Sequence, residues 1–154
     1  NRNAVYNLPG AMDGKVYISL DWTVGEMKGG SSTGELRFAD SEGNVFLSFR
    51  TQAGQELEYN YGGKISNKGL ETLPWQKVGS GLNGSGAVHI ESVVDFDTKT
   101  VSFTATQGNT SAEIKDMKFD GAGDFASVEV LAVRNEKNWE WSTEIDNMIF
   151  GCVG

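Results

Sequence analysis

A chain of 154 residues, 38% apolar and 22% charged, is long enough to close one two-layer core and too hydrophobic for a disordered segment. Its formal charge of −8 argues against nucleic acid and anionic membrane as partners, and no apolar run approaches the roughly 18 residues that span a bilayer. Twenty glycines against two prolines, dispersed without a period, suit many tight turns between short strands rather than collagen or a linker.

In chain order, the first strand is expected over Lys15 to Trp22, where Val16, Ile18, Leu20 and Trp22 alternate with Tyr17, Ser19 and Asp21. Leu36 and Phe38 repeat the period, residues 40–44 supply turn chemistry, and Val45, Leu47 and Phe49 return the chain as a hairpin. A further strand is read from Gln55 to Tyr61, ended by Gly62 and Gly63. Val88, Ile90, Ser92, Val94 and Phe96 form one arm of a second hairpin. Asp97 and Thr98 turn it, and Val101, Phe103 and Ala105 form the other arm. Phe125 to Arg134 and Thr143 to Phe150 complete the set, and helical spacing is not sustained over any window of about 11 residues.

Eight or more such strands predict an all-β fold: two antiparallel sheets packed face to face as a β-sandwich of jelly-roll type, one domain over 1–154. The core is expected to hold Val16, Ile18, Leu20, Phe38, Ile90, Val94, Val101, Phe103 and Ile149, with Trp22 continuing its first face. The chain begins at Asn1 rather than Met and is expected to be a mature or excised piece. The lone Cys152 has no intramolecular disulfide partner.

Catalytic signals are weak. Glu56 and Glu58 share a strand face, yet solvated acidic pairs are common on sheets. His89 is the single histidine, so a histidine-rich metal centre is excluded. Its alternation with apolar neighbours reads as a solvent-facing sheet position. Gly79, Gly81, Gly84 and Gly86 match no phosphate-loop spacing. Hard cations want several oxygens, so one structural calcium has Asp13 and Asp146 as candidate ligands, against the competing reading that turn aspartates cap their own loops.

The aromatic residues are more informative. Sugar rings pack their C–H faces on Trp and Tyr while amides, arginines and carboxylates bind the hydroxyls. Tyr59 and Tyr61 lie two apart in a polar segment, and Trp139 and Trp141 lie two apart beside Asn138. Trp75 follows Pro74 in a loop, and the strand end carrying Arg50 and Gln52 offers polar partners. All eight are the candidate ligand-binding residues.

The segments V-Y-I-S-L-D-W at 16–22, V-V-D-F-D-T-K-T-V-S-F-T at 93–104 and I-D-N-M-I-F at 145–150 resemble the β-sandwich carbohydrate-binding modules of bacterial plant-cell-wall polysaccharidases. The resemblance spans most of the chain. It implies binding of a polysaccharide without turnover, through a concave sheet or edge loops, with a residue such as Asp146 helping to hold calcium. It also implies a secreted, monomeric module of a larger enzyme that targets an attached catalytic domain to hemicellulose, β-glucan or pectic galactan. The alternatives are a small glycoside hydrolase or lyase domain and an adhesive protein-binding sandwich.

Overall fold

The computed structural model describes residues 2–24, 33–52, 55–66, 69–83, 86–133 and 143–153. They form thirteen strands and, among the described residues, no helix. In chain order these are β1 Arg2–Met12, β2 Lys15–Val24, β3 Thr33–Ala39, β4 Val45–Gln52, β5 Glu58–Asn60, β6 Gly63–Ser66 and β7 Gly69–Thr72. They continue as β8 Gln76–Lys77, β9 Gly86–Asp95, β10 Thr100–Gln107, β11 Thr110–Lys118, β12 Phe125–Val133 and β13 Thr143–Cys152.

A six-stranded sheet of order β1-β12-β3-β4-β5-β8 packs on a five-stranded sheet of order β11-β10-β9-β2-β13, and β6 and β7 form a separate small hairpin. All pairings are antiparallel, and the two sheets make the expected jelly-roll sandwich. The predicted hairpins are β3–β4 and β9–β10. In the second, Asp95 Oδ1 accepts from the backbone N–H of Asp97 and Thr98 at 2.9 and 3.2 Å, which ties the turn to its strand.

Alternation drives the packing. Leu36, Phe38, Leu47 and Phe49 from one sheet meet Ile18, Leu20, Trp22, Ile90, Val94 and Phe103 from the other, all buried. Phe49 and Phe103 meet edge to face across the sheets at 4.9 Å between centroids, a favoured aromatic geometry. Trp22 is fully buried, and its indole N–H donates to Thr143 Oγ1 at 2.8 Å, so the one polar atom of a large core ring is satisfied.

Three features depart from the sequence-based expectations. Ile149, expected in the core, is 63% exposed. Asp146 pairs with Asp21 and Ile149 with Ser19, so β13 spends one more residue than β2 over the interval. Asn147 sits there at φ 53°, and this bulge flips the alternation so that Met148 and Phe150 face the core instead. The strand read over Gln55 to Tyr61 narrows to β5, because the Leu57 backbone bonds to Leu82 and Val78 rather than to β4. Five strands, β1, β6, β7, β8 and β11, are unpredicted; β1, β8 and β11 are edges of the two main sheets, and β6 and β7 form the separate hairpin. Pro9 is tolerated in β1 because an edge strand has one unpaired side, and the β1 register shifts between Asn7 and Met12.

Candidate functional site

The register of the six-stranded sheet decides which side chains can meet a ligand. Tyr59 lies opposite Phe49 and so points into the sandwich: it is 6% exposed, with its ring 5.2 Å from Phe103. Tyr59 is therefore a core residue rather than the exposed platform expected from its polar neighbours. Tyr61 is partly buried against that core, its ring 6.4 Å from the Tyr59 ring. Glu58 and Asn60 alternate with Tyr59 and take the outward face, beside Arg50 and Ser48 of β4.

On that face Arg50 Nε donates to Glu58 Oε1 at 2.8 Å, and the Arg50 guanidinium carbon lies 4.6 Å from the centre of the Trp75 ring. Trp75 is half-buried, and its chain neighbours are held on both sides. Asn60 is buried; its Nδ2 donates to the Leu73 carbonyl and, at 3.2 Å, to the Pro74 carbonyl, while its Oδ1 accepts from the Gly62 N–H. Tyr59 donates its hydroxyl to Gln76 Oε1 at 3.0 Å. Burial, with a smaller contribution from neighbouring Tyr61, holds the Tyr59 phenol above its ordinary pKa, so it remains a donor. An indole with a guanidinium and a carboxylate fixed beside it can offer a ring face to C–H groups and charge-assisted hydrogen bonds to hydroxyls.

Further along the same face Arg37, nearly buried, forks between two carboxylates. It donates through Nη1 to Glu129 Oε1 at 3.0 Å, and through Nε and Nη2 to Glu35 Oε2. Asn3 Nδ2 adds a bond to Glu129 Oε2 at 3.0 Å. Sequence reasoning did not single out Glu35, Arg37, Asn60 or Glu129. The alternation of Glu35 and Arg37 with Leu36 and Phe38 was the available signal for the first pair. Glu129 is 92 residues from Arg37 and carried none.

The five-stranded sheet presents a different cluster. His89 places Nδ1 2.7 Å from Asp21 Oδ1 and Nε2 3.1 Å from Glu91 Oε1, and Asn147 Nδ2 donates to Asp21 Oδ2 at 2.8 Å. Hydrogen bonds to Asp21 first and Glu91 second raise the His89 pKa, while those from Asn147 and then His89 lower that of Asp21. Both ring nitrogens are engaged from opposite edges, so neither is free to take a proton from a nucleophile, and the two carboxylates do not converge on one ion. The cluster is a clamp across β2, β9 and β13.

Of the remaining sequence candidates, Asn138, Trp139 and Trp141 lie outside the described residues, and Gln52 contributes its backbone to β4 opposite Thr33. Asp13 and Asp146 do not share a site. Asp146 is opposite Asp21, and Asp13 precedes the start of β2, roughly 20 Å of strand away. Among the described residues no group of three or more His, Cys, Asp or Glu side chains is placed to hold a metal ion.

No protein-family model and no curated protein matches the sequence. Solved structures do match in fold. A sialidase superposes with a TM-score of 0.65 at 9% identity, covering 97% of this chain; the chain spans only 14% of that protein. A CBM2 module of the evolved Dit of Lactobacillus casei BL23 phage J-1 gives 0.57 at 10% identity, covering 96% of this chain and 67% of the other. A tetrameric galectin from the ball sponge Cinachyrella sp. gives 0.54 at 9% identity and covers 97% and 99% of the two chains. A GH131 β-glucanase catalytic domain from Podospora anserina shares the fold as well, at 0.55 and 14% identity over 92% and 60%. At these identities the likeness is one of architecture: this chain has the β-sandwich found in carbohydrate-binding modules and galectins.

Proposed function

We propose that the chain binds a polysaccharide of the plant cell wall, such as hemicellulose, β-glucan or pectic galactan, without altering it. In this reading it acts as a secreted, monomeric module that brings an attached catalytic domain to its substrate. The observation that carries the reading is Trp75, fixed by Asn60 at the edge of an outward sheet face with Arg50 and Glu58 at its side. Ring stacking with flanking bidentate polar groups is the chemistry that grips a sugar.

The similarity to a β-glucanase catalytic domain favours one competing reading, hydrolysis. Against it, a glycosidase needs a carboxylic acid that keeps its proton beside a second carboxylate, and here each candidate already faces a cation. Glu58 is bonded to Arg50, and Glu56 lies 3.6 Å from Lys77 Nζ.

Affinity gels loaded with xylan, β-glucan, mannan or galactan test both readings. Trp75→Ala is expected to weaken retention about tenfold or more on an intact fold, the usual effect of losing an aromatic anchor. Trp139→Ala, Trp141→Ala and Asn138→Ala belong in the same series as proposed ligand residues. Unchanged affinity for the Trp75 variant would remove the site from this face. Release of reducing ends that disappears in Glu58→Gln would make the chain an enzyme.

A further inference from the structure

The outward face of the six-stranded sheet carries more than the Trp75 corner. Direct register partners run across every strand: Asn3 faces Leu131, Leu131 faces Glu35, Glu35 faces Arg50, Arg50 faces Glu58 and Glu58 faces Lys77. The neighbouring row reads Val5, Glu129, Arg37, Ser48 and Asn60, and Trp75 stands at the β8 end of it. Arg37, Ser48 and Asn60 are buried, so the middle of this second row is floor while Val5 at its β1 end is exposed, and Arg50, Glu58 and Lys77 in the first row retain exposure. On one side the β6–β7 hairpin stands against the β3–β4 turn, through the Ile65 N–H to the Gly43 carbonyl at 2.9 Å and the Asn44–Lys64 bridge.

Charge along the two rows cancels. Glu35, Glu58 and Glu129 stand against Arg37, Arg50 and Lys77, and each arginine is committed to a carboxylate of the same face. Lys77 lies between Glu58, its register partner, and Glu56. A uronate would find no uncommitted cation in either row and would sit beside three carboxylates. A neutral sugar needs only donors and acceptors, which alternate along the row.

We infer, on the reading that Trp75 holds a glycan, that the ligand is a neutral glycan chain lying across the strands from Trp75 towards Asn3. Adjacent strands are separated by about 4.8 Å, close to the length of one pyranose residue, so five intervals accommodate roughly five residues. Trp75 anchors one end and the ion-paired row supplies hydrogen bonds along the rest. Leu131, the one apolar member of the exposed row, offers the second C–H contact.

Calorimetry with neutral xylo-, gluco- and manno-oligosaccharide ladders from dimer to hexamer, and with polygalacturonate, tests this. For the ladder that binds, affinity is expected to rise to about the pentamer and then level, with polygalacturonate unbound. Leu131→Arg, at the far end from Trp75, should weaken the pentamer about tenfold and leave the dimer unchanged. Glu58→Gln, which leaves Arg50 uncommitted, should admit polygalacturonate. Binding that levels at the dimer, or a pentamer indifferent to Leu131→Arg, would overturn the cross-strand path while leaving glycan binding at Trp75 in place. Polygalacturonate bound by the unaltered chain, or still refused by Glu58→Gln, would overturn the charge argument. If no ladder and no polymer gel is bound, the glycan reading and this inference fail together.

Discussion

On the six-stranded sheet the outward carboxylates Glu35, Glu129 and Glu58 face arginines, whereas on the five-stranded sheet Asp21 and Glu91 face the imidazole of His89. Both faces follow the same two-residue alternation over one shared core. Guanidinium keeps its charge at any physiological pH and holds carboxylates in a fixed fork, so the first face is a permanent polar surface with defined directions. Imidazole changes charge near neutrality, so the second face is a clamp whose strength depends on pH. On the first face the Arg50 guanidinium lies over the Trp75 ring, the pairing on which the proposed glycan site rests; on the second face Tyr17 lines a shallow cavity with Glu91.

The largest expected effect separates either face from the core they share. Trp22→Ala removes a fully buried indole and its bond to Thr143, and should cost about 3–5 kcal/mol in denaturant unfolding. Glycan affinity of the folded fraction should stay the same, because Trp22 faces away from both outer surfaces. A loss below about 1 kcal/mol would mean that the core closes over the gap far better than large-to-small substitutions usually allow.

Arg37→Ala comes next. It leaves Glu35 and Glu129 facing each other with little solvent, and breaking such a pair from one side should cost about 3 kcal/mol. Arg37→Lys keeps the charge without the fork and should recover only part of it. His89→Ala is expected to do much less, because its partners are solvated. If the two alanine variants unfolded at the same urea concentration, the contrast between the faces would not exist in energy, whatever their geometry.

The smallest effect is the pH dependence of the second face. The folded His89 pKa is raised, so its contribution is complete below the ordinary histidine value of about 6.5 and is lost as pH rises through the folded value. Asp21 is lowered in the folded state. Its contribution is therefore present above the ordinary aspartate value of 3.8 and lost as pH falls through the folded value. The clamp is strongest between those limits. Thermal melts from mildly acidic to mildly alkaline pH should show stability declining on the alkaline side, with the decline absent in His89→Gln. An equal decline in that variant would assign it to other groups.

Much of the fold was legible because alternation at a period of two is itself the physical cause of a half-buried strand. Val16 to Trp22, the hairpin around Asp97 and Thr98, and the Leu36, Phe38 and Leu47, Phe49 pair all lie where the pattern puts them. The pattern was silent where neither face is well buried, as in the edge strands β1 and β11, whose side chains have little core to face. It misled where one residue more or less changes the face. The bulge at Asn147 turns Ile149 outward, and the pairing with Phe49 turns Tyr59 inward despite its polar neighbours.

By itself, then, the sequence determined the strands, their two-faced character, and the aromatic and amide chemistry suited to a sugar. It also pointed to Trp75 and Arg50 as candidates without bringing them together. Only the tertiary structure decided the partners: Arg37 with Glu129 across 92 positions, Asn60 with the loop that carries Trp75, and the register row from Asn3 to Lys77. The physical reason is that alternation specifies which way a side chain points relative to its own strand. Which strands lie beside it, and in what register, is set by packing of the whole core.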